Sequence, residues 1–165
     1  MFDVDGTLTP AKSKIDEGFA KDFFEWQKGK QVFACMGNVF YKKVKNIDNY
    51  STWNLAYKNK FTTEKPRLFF SELERYVMNS KYHTKTGRHY EERVGMVNFS
   101  IVGRNATKEE RKEYADYDAE HNEREAIVAK LSKKYPALDF VIGGAVSIDI
   151  FNKGNDKGQV INHFV

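Results

Sequence analysis

At 165 residues, with 41% hydrophobic content including 13 Phe and 9 Tyr, the chain suits one domain or two small ones around an apolar core. No apolar run approaches membrane-spanning length and no signal peptide is evident, while the single cysteine, Cys35, forbids an internal disulfide, so a cytoplasmic protein with no membrane partner is expected. The net charge of +4, from 27 basic and 23 acidic residues, suits anionic ligands; bases alternate with acids, as at 108–113, which argues against a nucleic-acid partner.

The chain opens on Phe2-Asp3-Val4-Asp5-Gly6-Thr7. If Phe2 and Val4 end a strand, Gly6 lets the chain turn, and Asp3 sits at the carboxyl end of that strand, where ligands of open α/β sheets bind. Two carboxylates this close favour a cation with oxygen ligands such as Mg²⁺. An aspartate so neutralised can attack a phosphoryl group while its neighbour moves protons. Asp-x-Asp-Gly-Thr resembles the first signature of the haloacid-dehalogenase-type phosphotransferases. The resemblance implies Asp3 as nucleophile, Asp5 as general acid/base, and both as metal ligands.

Ile15, Phe19, Phe23 and Phe24 recur at helical spacing, with Ser13 or Asp16 as cap and 28–30 as the end. The apolar run 31–36 reads as a buried strand, and 39–47 as an amphipathic helix, so that strand and helix alternate as in a parallel α/β sheet. Between them stands Asn38. In the same superfamily a Ser or Thr there holds the transferring phosphate; an Asn amide can do so, or Asn38 merely turns the chain. From 50 to 65 the signals are turns and short apolar pieces. Residues 68–78 read as a helix with Leu68, Leu73, Tyr76 and Val77 inward.

Further on, Val97, Phe99 and Ile101 alternate with Met96, Asn98 and Ser100, the period of a half-buried strand. Thr107 and Glu110 form a capping box that opens a helix running to about Lys134, bent near His121-Asn122 and closed by Pro136. Residues 140–151 read as one strand, with Ser147 and Asp149 sharing a polar face. These two fit sugar hydroxyls or simply face solvent. Arg93, Arg104 and Arg111 are surface arginines singly; together, beside a helix amino terminus, they fit a phosphate.

The runs 93–111 and 142–151, followed by Gly154-Asn-Asp-Lys157, are similar to eukaryotic-type phosphomannomutases, and with the Asp3 motif the resemblance covers nearly the whole chain in order. It implies an α/β fold: an incomplete Rossmann-like core with an inserted α/β cap containing an antiparallel sheet. The expected division is 1–52 core, 53–151 cap and 152–165 return to the core. Also implied are interconversion of mannose 6-phosphate and mannose 1-phosphate for GDP-mannose synthesis, Mg²⁺, and a hexose 1,6-bisphosphate activator. Arg93, Arg104 and Arg111 would bind the distal phosphate of a hexose phosphate, Ser147 and Asp149 its sugar surroundings, and Lys157 would neutralise the phosphoaspartate.

The pattern departs from the family in places. Only Met1 and Phe2 precede Asp3, the stretch 38–54 is short, and the chain stops at Val165 before the family's acidic metal loop. A fragment, a truncated frame or a descendant without catalysis is therefore expected. The resemblance implies a homodimer through the cap, although His89 stands where family dimers place an apolar aromatic. A non-catalytic sugar-phosphate-binding or dimerising cap module and a sugar phosphatase of the superfamily are the alternatives.

Overall fold

The computed structural model describes residues 16–26, 32–34, 37–45 and 51–163. Contacts divide the chain into two units, one of Met1–Val32 with Tyr41–Asn54 and the other of Phe33–Phe40 with Leu55–Val165. Among the described residues no helix is long and apolar enough to cross a membrane.

In the first unit lies helix α1, Glu17–Trp26. Its start follows from Asp16, whose carboxylate accepts from the Phe19 backbone N–H at 2.9 Å, satisfying a donor that a helix end leaves orphaned. The stretch read as a helix at 39–47 is instead strand β2, Val39–Lys45, beside β1, Val32–Ala34, and β3, Ser51–Lys58, in a sheet of order β1-β2-β3. Val39, Phe40, Tyr41 and Val44 are β-branched or aromatic, and such side chains fit a pleated surface better than a helix. The expected alternation of strand and helix does not hold for these elements. Residues 51–58, read as turns, are likewise strand.

The second unit is built on a four-stranded antiparallel sheet: β4, Tyr90–Arg93; β5, Met96–Phe99; β6, Leu138–Gly143; and β7, Ser147–Asn152, in the order β4-β5-β7-β6. The span 140–151 is thus a hairpin rather than one strand. Gly144, at φ 55°, supplies a left-handed backbone that reverses the chain at low cost. A second reversal, at Val94 and Gly95, joins β4 to β5 in the register Arg93↔Met96.

Helix α2, Pro66–Asn79, buries Phe69, Leu73 and Val77, spaced one turn apart on one face. Leu68, expected inward, is 63% exposed; the apolar stripe is displaced by one residue, and Phe69 takes the core position. Thr107 and Glu110 close the capping box of helix α3, Lys108–His121. Asn122, left-handed at φ 50°, separates it from helix α4, Glu123–Lys134, where a bend is expected. Tyr114 of α3 and Ile127 and Leu131 of α4 join Val97, Phe99, Ile148, Ile150 and Phe140 in one apolar cluster. Burying each such side chain contributes about 1.5–3 kcal/mol. These strand residues share one face of the sheet, so the opposite face is free to carry polar groups.

Candidate functional site

Cross-strand register builds the polar face. Glu91 pairs with Asn98, Asn98 with Asp149, and Asp149 with Val141, and paired residues project to the same side. One strand position further along the same face come Ser100 and Ser147, both buried. The polar alternation seen at 96–101 is therefore real, but it does not meet solvent: Met96, Asn98 and Ser100 are as buried as their apolar neighbours.

A hydrogen-bonded chain crosses this face. Asn98 Nδ2 donates to Asp149 Oδ1 at 2.6 Å, and Arg104 Nη1 donates to Asn98 Oδ1 at 2.6 Å. Arg104 Nη2 reaches Glu91 Oε2 at 2.9 Å, and the same oxygen accepts from Arg93 Nε at 3.0 Å and Nη2 at 2.7 Å. Arg93, Arg104 and Asp149, expected at a ligand site, are thus brought together. Asn98 and Glu91, which link them, were not singled out in the sequence. Their polarity was visible, but their adjacency depends on a register that sequence spacing does not specify.

Arg111 completes the arginine group. Its Nη1 is buried and lacks a hydrogen-bond partner among the described residues. Burial foremost, and then the neighbouring Arg104 guanidinium, lower its affinity for its proton below the ordinary arginine range. The amino terminus of α3 itself is closed by its own box: the Thr107 hydroxyl accepts from Glu110 N at 3.2 Å and the Glu110 carboxylate from Thr107 N at 2.7 Å. The arginine side chains, more than the helix end expected to assist them, are therefore the donors available to an anion.

Ser147 and Asp149 enter the site on β7, whose approach is fixed from behind. Arg124 Nη1 donates to the carbonyls of Gly144 at 3.1 Å and Ser147 at 3.3 Å, while its Nε donates to Asp118 Oδ2 at 2.7 Å. This largely buried pair ties the α3–α4 junction to the β6–β7 turn. Gly143 lies so close to Asp149 that an added Cβ would stand 2.5 Å from Asp149 Oδ2, so glycine there leaves room for the carboxylate.

Asn38 is fully buried. Its Oδ1 accepts from Asn59 Nδ2 at 3.0 Å, and that amide also donates to Gln159 Oε1 at 2.9 Å. Gly95 presses on it from the β4–β5 turn: a Cβ at that glycine would stand 2.5 Å from Asn38 Cγ. Asn38 is therefore packed between the arginine-bearing hairpin and the closing 3-10 helix, Lys157–His163. Lys157 is exposed at the start of that helix. Asp3 and Asp5 lie outside the described residues. Among the described residues no group of three or more His, Cys, Asp or Glu side chains could hold a metal ion. The cavity of about 540 Å³ lined by Leu68, Glu72, Arg75, Lys134 and Tyr135 involves none of these residues.

In this mixed α/β fold one sheet face meets an apolar core, while on the other Arg93 of β4 shares Glu91 with Arg104, and Arg111 of α3 lies near Arg104; guanidinium groups gathered in this way can donate to a small anion. The family model for eukaryotic phosphomannomutase matches residues 12–165. The chain is 32% identical over 191 residues to phosphomannomutase of Saccharomyces cerevisiae, an alignment covering 99% of this chain and 73% of that one. It is 30% identical over 187 residues to phosphomannomutase 1 of Dictyostelium discoideum, covering 99% and 75%, and 32% identical over 188 residues to phosphomannomutase of Dendrobium officinale, covering 99% and 74%. The chain belongs to the eukaryotic phosphomannomutase family, and through it to the haloacid-dehalogenase-like superfamily.

Proposed function

We propose that this chain interconverts mannose 6-phosphate and mannose 1-phosphate through a phosphoaspartate, feeding GDP-mannose synthesis. The observation that carries the reading is Arg111 Nη1, buried and without a hydrogen-bond partner among the described residues, beside Arg104. Two neighbouring guanidinium groups that repel each other, one with a buried donor unpaired among the described residues, suit an oxyanion between them. Membership of the family supports the phosphate of a hexose as that oxyanion.

In this reading Asp3 attacks the transferring phosphoryl group and Asp5 carries the proton to and from the sugar oxygen. Arg93, Arg104 and Arg111 hold the other phosphate without reacting with it. Ser147 and Asp149 address the sugar, Asn38 lies near the transferring phosphate, and Lys157 balances charge at Asp3. Mg²⁺, when bound, supplies positive charge against the phosphoryl oxygens, and the carboxylate chemistry of Asp3 and Asp5 suits it. The domain reading is 1–52 as core, 53–151 as cap and 152–165 as the return. A hexose 1,6-bisphosphate activator, pairing of two cap domains and a cytoplasmic location belong to the same proposal. The physical need for a cap is clear: a bisphosphate intermediate must turn end for end without escaping, and excluding water protects the phosphoaspartate.

The test is a ³¹P NMR time course with mannose 1-phosphate, a catalytic amount of hexose bisphosphate and Mg²⁺, run on the chain and on Asp3→Asn. Mannose 6-phosphate is expected to appear with Asp3 alone. Inorganic phosphate in its place would make the chain a phosphatase. No new resonance from a folded sample that binds the sugar phosphate would make it a binding module.

A further inference from the structure

Glu91 stands at the centre of the arginine group, and the phosphate reading gives it no part. A single oxygen, Oε2, receives Arg93 Nε at 3.0 Å, Arg93 Nη2 at 2.7 Å and Arg104 Nη2 at 2.9 Å. An oxyanion bridging two guanidinium forks is how a phosphate oxygen would be held. We propose that Glu91 is a resident anion that occupies the phosphate position of Arg93 and Arg104 and is exchanged for the phosphate of an incoming ligand. The proposal rests on the reading of this face as a phosphate site.

The two arginines are anchored differently, and the difference defines the exchange. Arg104, with its side chain 18% exposed, is also held by Asn98 Oδ1 at 2.6 Å, so it keeps its place when Glu91 leaves. Arg93, 39% exposed, is held among the described residues by Glu91, and is handed to the ligand. Glu91 itself is 45% exposed, and exposed ion pairs contribute little to stability; swinging its carboxylate into water is easy. A monoanion gains nothing by replacing a carboxylate of equal charge, whereas a phosphate dianion does. Glu91 thereby discriminates against singly charged anions and separates the arginines while no ligand is bound.

The experiment is calorimetric titration of the full chain with inorganic phosphate, comparing wild type, Glu91→Gln and Arg111→Gln. Glutamine keeps the shape of Glu91 and removes its charge, so phosphate affinity is expected to rise roughly threefold to fivefold. Weaker or unchanged affinity in Glu91→Gln overturns the proposal, because a glutamate that merely orients the arginines predicts a loss. In parallel, the Arg93 Nε–H resonance of the wild type is expected to shift as phosphate is added; a resonance unmoved at saturation overturns it as well. Wild-type binding that Arg111→Gln weakens shows that the phosphate site is intact, so a failure at Glu91 then counts against this proposal alone. If the wild type takes up no phosphate, the phosphate site itself falls and this proposal with it.

Discussion

The two faces of one sheet differ in what holds them. On the core face, Val97, Phe99, Ile148, Ile150 and Phe140 meet α2, α3 and α4 through apolar contact, which is strong and non-directional. On the other face the same strands are joined by Asp149, Asn98, Arg104, Glu91 and Arg93 through directed hydrogen bonds, and Arg111 Nη1 has no hydrogen-bond partner among the described residues. The first face supplies the rigidity that lets the second carry unmatched charge. Stability and ligand affinity should accordingly be separable by mutation.

The largest expected effect lies on the core face. Phe69, fully buried and in edge contact with Tyr135 at 5.2 Å, should cost about 3–5 kcal/mol when cut to alanine, read as a fall in urea midpoint. Asp118→Ala should follow at about 3 kcal/mol, because it strands Arg124, whose side chain is only 12% exposed. That change should also loosen β7, visible as faster amide exchange at Ser147. Arg111→Gln breaks the pattern in the opposite sense. It should weaken phosphate binding by about tenfold, as loss of a charge-assisted hydrogen bond predicts, while leaving the unfolding midpoint unchanged or raised. A midpoint that falls as far as in Phe69→Ala would show that the two faces are not separable. Thr107→Ala, removing one half of the capping box, should cost about 1 kcal/mol by the same urea measurement.

The smallest effect is one of pH and concerns neither face. Burial works to raise the Glu72 carboxyl, but hydrogen bonds from Lys134 and Tyr135 outweigh it and leave the group below its ordinary value of 4.5. A carboxyl depressed in the folded state adds stability above its unfolded value and loses it as pH falls through the folded one. The urea midpoint of the wild type should therefore fall below pH 4.5 by more than that of Glu72→Gln. Parallel pH profiles would remove Glu72 from the account of stability.

What the sequence discloses follows the range of the interaction concerned. The capping box at Thr107 and the break at Asn122 are local, and both are legible. The alternation at 96–101 names the two faces correctly, since it depends only on strand geometry. Where a tertiary partner decides, the sequence misleads. The run 39–45 has both helical and strand periods, and pairing in a sheet selects the strand. At 140–151 the apolar content hides a hairpin that Gly143 and Gly144 mark. Strand β4, with Glu91, Glu92 and Arg93, is too polar to read as a strand without its partner β5. The arginines are legible through family resemblance, whereas Glu91 and Asn98 emerge only once the register is known. Asp3 and Asp5, the most telling residues of the sequence, lie outside the described structure.

The strand order β4-β5-β7-β6 has a consequence for synthesis. β7, which completes the centre of the sheet, is the last of its strands to leave the ribosome. Until then β5 presents an open edge with Met96, Val97 and Phe99 on it, and helices α2 to α4 have only half a surface to cover. Unpaired apolar edges recruit other chains. A nascent chain stalled before Ser147 should therefore be an aggregating species, and chaperone demand should fall as the β6–β7 hairpin emerges.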